Sequence, residues 1–113
     1  MFGLGNRSRI NELEPRALKA MLDAGTALVV DVREPAEFAT GHIEGAVNMP
    51  LSRFDPTSLP SADGKVLVLN CAGGRRSATA LGQCAAARVA VDTHLCGGIA
   101  AWKAANLPLV TGA

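Results

Sequence analysis

Two uninterrupted apolar runs, Ala27-Leu28-Val29-Val30 and Val66-Leu67-Val68-Leu69, constrain this chain more than any other feature. A strand with one wet face alternates apolar and polar residues, whereas a continuous run predicts a strand buried on both faces, as in a parallel sheet covered by helices on each side. After the second run come Asn70-Cys71-Ala72-Gly73-Gly74-Arg75-Arg76-Ser77, and from Arg76 onward Ala78, Leu81, Cys84 and Ala85 recur at helical spacing. Cys71 is therefore expected just past the carboxyl end of a strand and just before the amino end of a helix. In open α/β sheets ligands bind at that edge.

A free thiol with a pKa of about 8.5 is only a few per cent ionised at neutral pH, so a nucleophilic Cys71 needs its anion stabilised. Lowering the pKa by about two units takes roughly 2.7 kcal/mol, and a helix dipole usually supplies only about 0.3 to 1 kcal/mol. Backbone amides contribute more, at about 1.5 to 3 kcal/mol for a hydrogen bond to a charged group. The six amides from Ala72 to Ser77 are expected to converge on the sulfur if the loop curls, with Gly73 and Gly74 free to adopt positive φ. Arg75 and Arg76 add positive charge. One of them is expected to meet an anionic substrate and the other to brace the loop against a carboxylate such as Asp31 or Glu34.

The stretch Cys71 to Ser77 resembles the active-site loop of the rhodanese sulfurtransferase family in its single-domain form. Asp31-Val32-Arg33-Glu34-Pro35-Ala36-Glu37-Phe38, Gly41-His42-Ile43-Glu44-Gly45-Ala46-Val47-Asn48-Met49-Pro50 and Gly97-Gly98-Ile99-Ala100-Ala101-Trp102 resemble further family motifs, in the family's order. The resemblance covers about Ile10 to Leu107. It implies a rhodanese-like fold, with Cys71 as catalytic nucleophile and Ala72, Gly73, Gly74, Arg75, Arg76 and Ser77 as the substrate- and anion-binding loop. It implies sulfane-sulfur transfer from thiosulfate or a related donor anion, through a Cys71 persulfide, to cyanide in an assay or to a thiol. No cofactor or metal is needed for that reaction, and a protein sulfur acceptor is left open.

Two other function classes compete. Cysteine-dependent phosphatases and arsenate reductases resemble the pattern Cys, five residues, Arg. Here the sixth residue after Cys71 is Ser77 and the arginines come fourth and fifth. The cradle is one residue short, which suits a sulfur atom better than a phosphate. A non-catalytic interaction module is the other class, and retention of Cys71 beside a permissive loop speaks against it.

The remaining residues set the frame. With 113 residues the chain suits one domain, expected over residues 10–113 behind a mobile lead-in at 1–9. Three Phe, one Trp and no Tyr leave Ala, Val and Leu to fill the core. A net charge of +1 gives no broad footprint for nucleic acid or an anionic membrane. No apolar run approaches the roughly eighteen residues of a membrane span, and Met1 to Arg9 lacks a signal-peptide core. Cys71, Cys84 and Cys96 are three in number and lack zinc-type spacing, so a disulfide framework or metal site is a poor reading, and they suit a reducing cytoplasm.

In order, Ile10 opens an edge strand, Pro15 starts a helix presenting Leu18, Met21 and Leu22, and Gly25 ends it. Pro35 opens a short helix that Gly41 ends. Glu34, Glu37 and His42 invite an acid–base reading, but an ionised thiolate needs no such base, and they are expected to satisfy turns and pair charges. Val47 to Met49 and Val91 to Leu95 predict short strands, and Trp102 a core anchor. An ungapped comparison puts Arg88 where the family often has a glycine at the end of the helix after the loop, so a different helix end is expected. The alternation of strand and helix makes a three-layer α/β fold with a mainly parallel central sheet flanked by helices.

Overall fold

A computed structural model describes residues 10–113, so the lead-in expected at 1–9 lies outside the described residues. In chain order the elements are β1 (Asn11–Leu13), α1 (Pro15–Asp23), β2 (Ala27–Asp31), α2 (Pro35–Thr40), β3 (Val47–Asn48), two 3-10 turns (Leu51–Arg53 and Pro56–Ser58), β4 (Val66–Asn70), α3 (Arg75–Ala86), β5 (Thr93–Leu95) and α4 (Gly98–Ala104). The strands form one five-stranded sheet in the order β1-β5-β4-β2-β3, and every pairing is parallel. The α/β architecture with a parallel sheet between helices is thus the one the apolar runs predict.

Alternate residues of the central strands feed two cores, as the two-residue period of a strand requires. On one face Val29, Val68 and Leu95 pack with Leu18 of α1 and with Ile99 and Trp102 of α4. On the other Val30, Leu69 and Cys71 pack with Ala80, Leu81 and Cys84 of α3, against Leu51, Phe54 and Leu59 of the turn region. Trp102 is 1% exposed and its indole N–H donates to the Pro108 carbonyl at 2.8 Å, so the one Trp fills a core and satisfies its polar edge.

Three local expectations are corrected. Val66 is 42% exposed rather than buried on both faces. It pairs with Ala27 of β2, but β5 reaches only as far as Val68, leaving this end of β4 unpaired on that side. The buried face of α3 is Ser77, Ala80, Leu81 and Cys84 rather than one including Ala78 and Ala85. The helix is rotated so that Ser77 faces Cys71, and the buried set follows at i, i+3, i+4 and i+7. Finally, the Arg88 substitution leaves the form of the helix end intact. Arg88 takes φ +59, and its N–H and that of Val89 donate to the carbonyls of Ala85 and Cys84. This is a Schellman ending with arginine where glycine is preferred.

β2 leads toward β3 at one sheet edge, while β4 leads toward β5 on the opposite side. The chain therefore diverges between β2 and β4, and Cys71 follows directly from β4 at the carboxyl edge of that gap.

Candidate active site

The loop Cys71 to Gly74 is held from below by the amino end of α4. Its first free amides, Ile99 N–H and Ala100 N–H, donate to the carbonyls of Cys71 and Ala72 at 2.9 and 3.0 Å. Such close approach is permitted because residue 98 is glycine at φ +61. A Cβ there would overlap the Cys71 carbonyl oxygen and lie 2.7 Å from the Ala72 carbonyl carbon and oxygen. The second glycine of Gly97-Gly98 is thus the seat of the loop as well as part of a turn.

Of the two loop glycines, only Gly74 takes positive φ, at +105; a Cβ on Gly73 would meet nothing within 4 Å. The curl points Gly74 N–H at Cys71 Sγ, 3.1 Å away, and Ser77 N–H reaches the same sulfur at 3.3 Å. Gly74 is the cap residue of α3 and has no side chain to accept the helix's orphan amides. Cys71 Sγ accepts the third-residue amide in its place, so the sulfur itself caps the helix. Convergence is narrower than the six amides expected: the amides of Gly74 and Ser77 bond the sulfur, and that of Gly73 also favours its anion.

Cys71 is 1% exposed. That burial pushes the thiol pKa up, but the Ser77 hydroxyl and the amides of Ser77, Gly74 and Gly73 more than offset it, and the net shift is downward. By contrast burial pushes Cys84 up, and Cys96 is raised by burial and by the Glu12 and Glu14 carboxylates. Among the three cysteines only Cys71 has surroundings that favour its anion.

Arg76 is the arginine that braces the loop, though with another partner than Asp31 or Glu34. Arg76 donates two hydrogen bonds to Glu37, at 2.8 and 2.9 Å, whereas Arg75 is exposed and forms no salt bridge among the described residues. Asp31 is taken by Arg33, which also donates to the Gly41 carbonyl at 2.7 Å, and Glu34 accepts from Ser52. Glu37 closes a capping box at the start of α2 while it holds Arg76. Buried Arg33 ties the end of α2 to β2, so α2 is a fixed strut between the sheet and the loop. His42 stacks on Phe38 and its Nδ1 bonds the Phe38 carbonyl at 2.8 Å, a packing role.

One residue near the sulfur has no counterpart in the sequence reading. His94 of β5 places Nδ1 2.7 Å from Ser77 Oγ, which lies 3.5 Å from Cys71 Sγ. The signal is register: His94 pairs with Leu69, two residues before Cys71. Among the described residues, no group of three or more His, Cys, Asp or Glu is placed to hold a metal ion.

Comparison with known proteins identifies the family. A family model described as Rhodanese-like domain matches residues 14–105. A sulfurtransferase of Allochromatium vinosum is 31% identical over 102 residues, which are 89% of this chain and 95% of that protein. The uncharacterized protein slr1261 of Synechocystis sp. is 45% identical over 98 residues, which are 87% of this chain but 55% of the relative, so the chain spans about half that protein's length. A solved structure from Rhodopseudomonas palustris, of a protein of unknown function described as a possible tyrosine phosphatase, is 28% identical with a TM-score of 0.76 over 89% of this chain and 85% of that one.

Proposed function

The chain belongs to the rhodanese-like domain family, and we propose that it is a sulfurtransferase that carries sulfane sulfur on Cys71. The Cys71 thiolate attacks the outer sulfur of thiosulfate, the sulfur–sulfur bond of the donor breaks, and sulfite leaves with the bonding pair. Cyanide, or a thiolate in the cell, then attacks the outer sulfur of the persulfide and releases Cys71 as thiolate, a ping-pong cycle needing no cofactor. The observation that carries the reading is the sulfur's placement as the cap of α3, under the Gly74 and Ser77 amides, with its pKa lowered against the effect of burial. The same donors suit an anionic persulfide.

Arg75 is the residue that draws in the donor anion, and Arg76 keeps the loop in shape. Three free cysteines and no helix among the described residues long and apolar enough to cross a membrane are consistent with work in a reducing cytoplasm. The partners are a small donor anion and a thiol or cyanide acceptor, and the reading involves neither nucleic acid nor membrane.

Phosphoester hydrolysis, the activity raised by the Rhodopseudomonas description, fits less well. A phosphate needs a ring of amides and an arginine at its far end, yet Ser77 stands at that position and Arg76 is committed to Glu37. The test is thiocyanate formation from thiosulfate and cyanide beside hydrolysis of a small aryl phosphate. Transfer without hydrolysis, abolished in Cys71→Ser, is expected; hydrolysis without transfer would overturn the reading.

A further inference from the structure

The Ser77 hydroxyl has one hydrogen and more than one acceptor. Its oxygen lies 2.7 Å from His94 Nδ1, 3.3 Å from the Gly74 carbonyl and 3.5 Å from Cys71 Sγ. On its far side His94 Nε2 lies 3.0 Å from Glu12 Oε2. Glu12 and His94 are register partners on β1 and β5, and their side chains meet on the sheet face that α3 covers. The His94 side chain is 3% exposed and that of Glu12 is 56% exposed, so the chain of contacts runs from a buried sulfur to solvent.

An ionised carboxylate only accepts hydrogen bonds, so Glu12 requires a proton on His94 Nε2. If the ring is neutral, Nδ1 is then an acceptor and takes the Ser77 hydrogen, and Ser77 Oγ can accept from a Cys71 thiol but cannot donate to a thiolate. If the ring is charged, Nδ1–H donates to Ser77 Oγ and frees the hydroxyl hydrogen for the sulfur. The arrangement that favours the thiolate is therefore the one in which His94 holds two protons, with its charge balanced by Glu12.

We propose that Ser77, His94 and Glu12 form a proton relay that makes the resting nucleophile a thiolate–imidazolium pair. On ionisation the Cys71 proton passes to Ser77 Oγ as the Ser77 proton passes to His94 Nδ1. The sulfur keeps the S–H bonding pair, and no oxidant or reductant is involved. When sulfur arrives or departs, His94 stays charged opposite the persulfide or thiolate, and excess protons exchange through exposed Glu12. His94 is a positioning residue acting through Ser77. The proposal rests on Cys71 being the nucleophile. Among the described residues, Glu12 from β1 meets the His94 ring, Cys71 after β4 is reached through neutral Ser77 of α3, Arg76 of α3 acts on Cys71 by its charge, and Cys96, two residues on from His94, lies beside Glu12. Cys96 Sγ lies 3.9 Å from the other Glu12 oxygen, and its raised pKa keeps it a thiol.

The test is the pH dependence of Cys71 alkylation by iodoacetamide, resolved by peptide mass, together with an NMR titration of the His94 ring. In His94→Asn, which can donate to Ser77 but carries no charge, the alkylation midpoint is expected to rise by about one pH unit. Glu12→Gln, a change at an exposed residue, is expected to move it the same way by less. In Cys71→Ser the His94 midpoint is expected to fall, because the anion that holds its second proton is gone. A purely structural role for His94 would not produce that reciprocal shift. Identical alkylation profiles in parent and His94→Asn, or a His94 midpoint unmoved by Cys71→Ser, would overturn the relay. Neither readout uses sulfur transfer, so a coupled pair in a protein with no transferase activity would sustain the relay while sinking the proposed reaction.

Discussion

Arg76 grips Glu37 through two parallel hydrogen bonds of 2.8 and 2.9 Å, while Arg75, one residue earlier, is exposed and forms no salt bridge among the described residues. Two adjacent arginines are thereby given different work. In Arg75→Ala the thiosulfate KM is expected to rise about tenfold, the loss of one charge-assisted contact, with the melting temperature unchanged. In Arg76→Ala both activity and stability are expected to fall. The pair is about a third exposed, so the stability loss should stay under about 1 kcal/mol. Matching kinetic defects with unchanged melting in both variants would contradict this division.

The same pair sets an acid limit on the loop. The Arg76 guanidinium is the largest influence holding the Glu37 carboxyl down, to about 2 from an ordinary 4.5. A carboxyl depressed by folding contributes stability that is present above its unfolded pKa and lost as pH falls through its folded value. The brace should therefore weaken from about pH 4.5 down to about 2 and be intact at neutral pH. Denaturant melts across that window are expected to show a shallower acid slope in Glu37→Gln than in the parent; equal slopes would remove Glu37 from the account.

Glycines at the site divide into one that is required by contact and one that is not. Gly98→Ala places a Cβ against the Cys71 and Ala72 carbonyls at a positive φ, and is expected to cost upwards of about 2 kcal/mol and most of the activity. Gly73→Ala meets open space and is expected to change stability by less than about 0.5 kcal/mol. Chemical denaturation of the two variants checks the contrast, and a tolerated alanine at 98 would mean the loop is not seated on α4.

Arg88 offers a stabilising change. Its φ of +59 is a conformation that costs an L residue roughly 1 kcal/mol, so Arg88→Gly is expected to gain about 0.5 to 1 kcal/mol. A lower melting temperature would show that the exposed Arg88 side chain contributes more than its backbone costs.

Local chemistry made much of this molecule legible in its sequence, and long-range register hid the rest. Continuous apolar runs gave away β2 and β4 because burial on both faces leaves no room for alternation, and Pro15, Pro35 and Gly25 marked helix ends through their own backbone preferences. Cys71 stood out through its immediate neighbours. Glu37 as the partner of Arg76 did not, since Asp31 and Glu34 lie in the same short segment and only the path of α2 separates the three. Nor did Glu12 and His94, which lie 82 residues apart and meet only because β1 and β5 are neighbours in the sheet. Gly98 resembled an ordinary turn glycine until the carbonyls beneath it were placed.

The central claim is that Cys71 carries the transferred sulfur, and intact mass after treatment with thiosulfate reads it directly. The parent is expected to gain one sulfur atom, mapped to the Cys71 peptide and removed by cyanide, while Cys71→Ser melts like the parent and gains none. A sulfur appearing on Cys84 or Cys96, or retained by well-folded Cys71→Ser, would contradict the account.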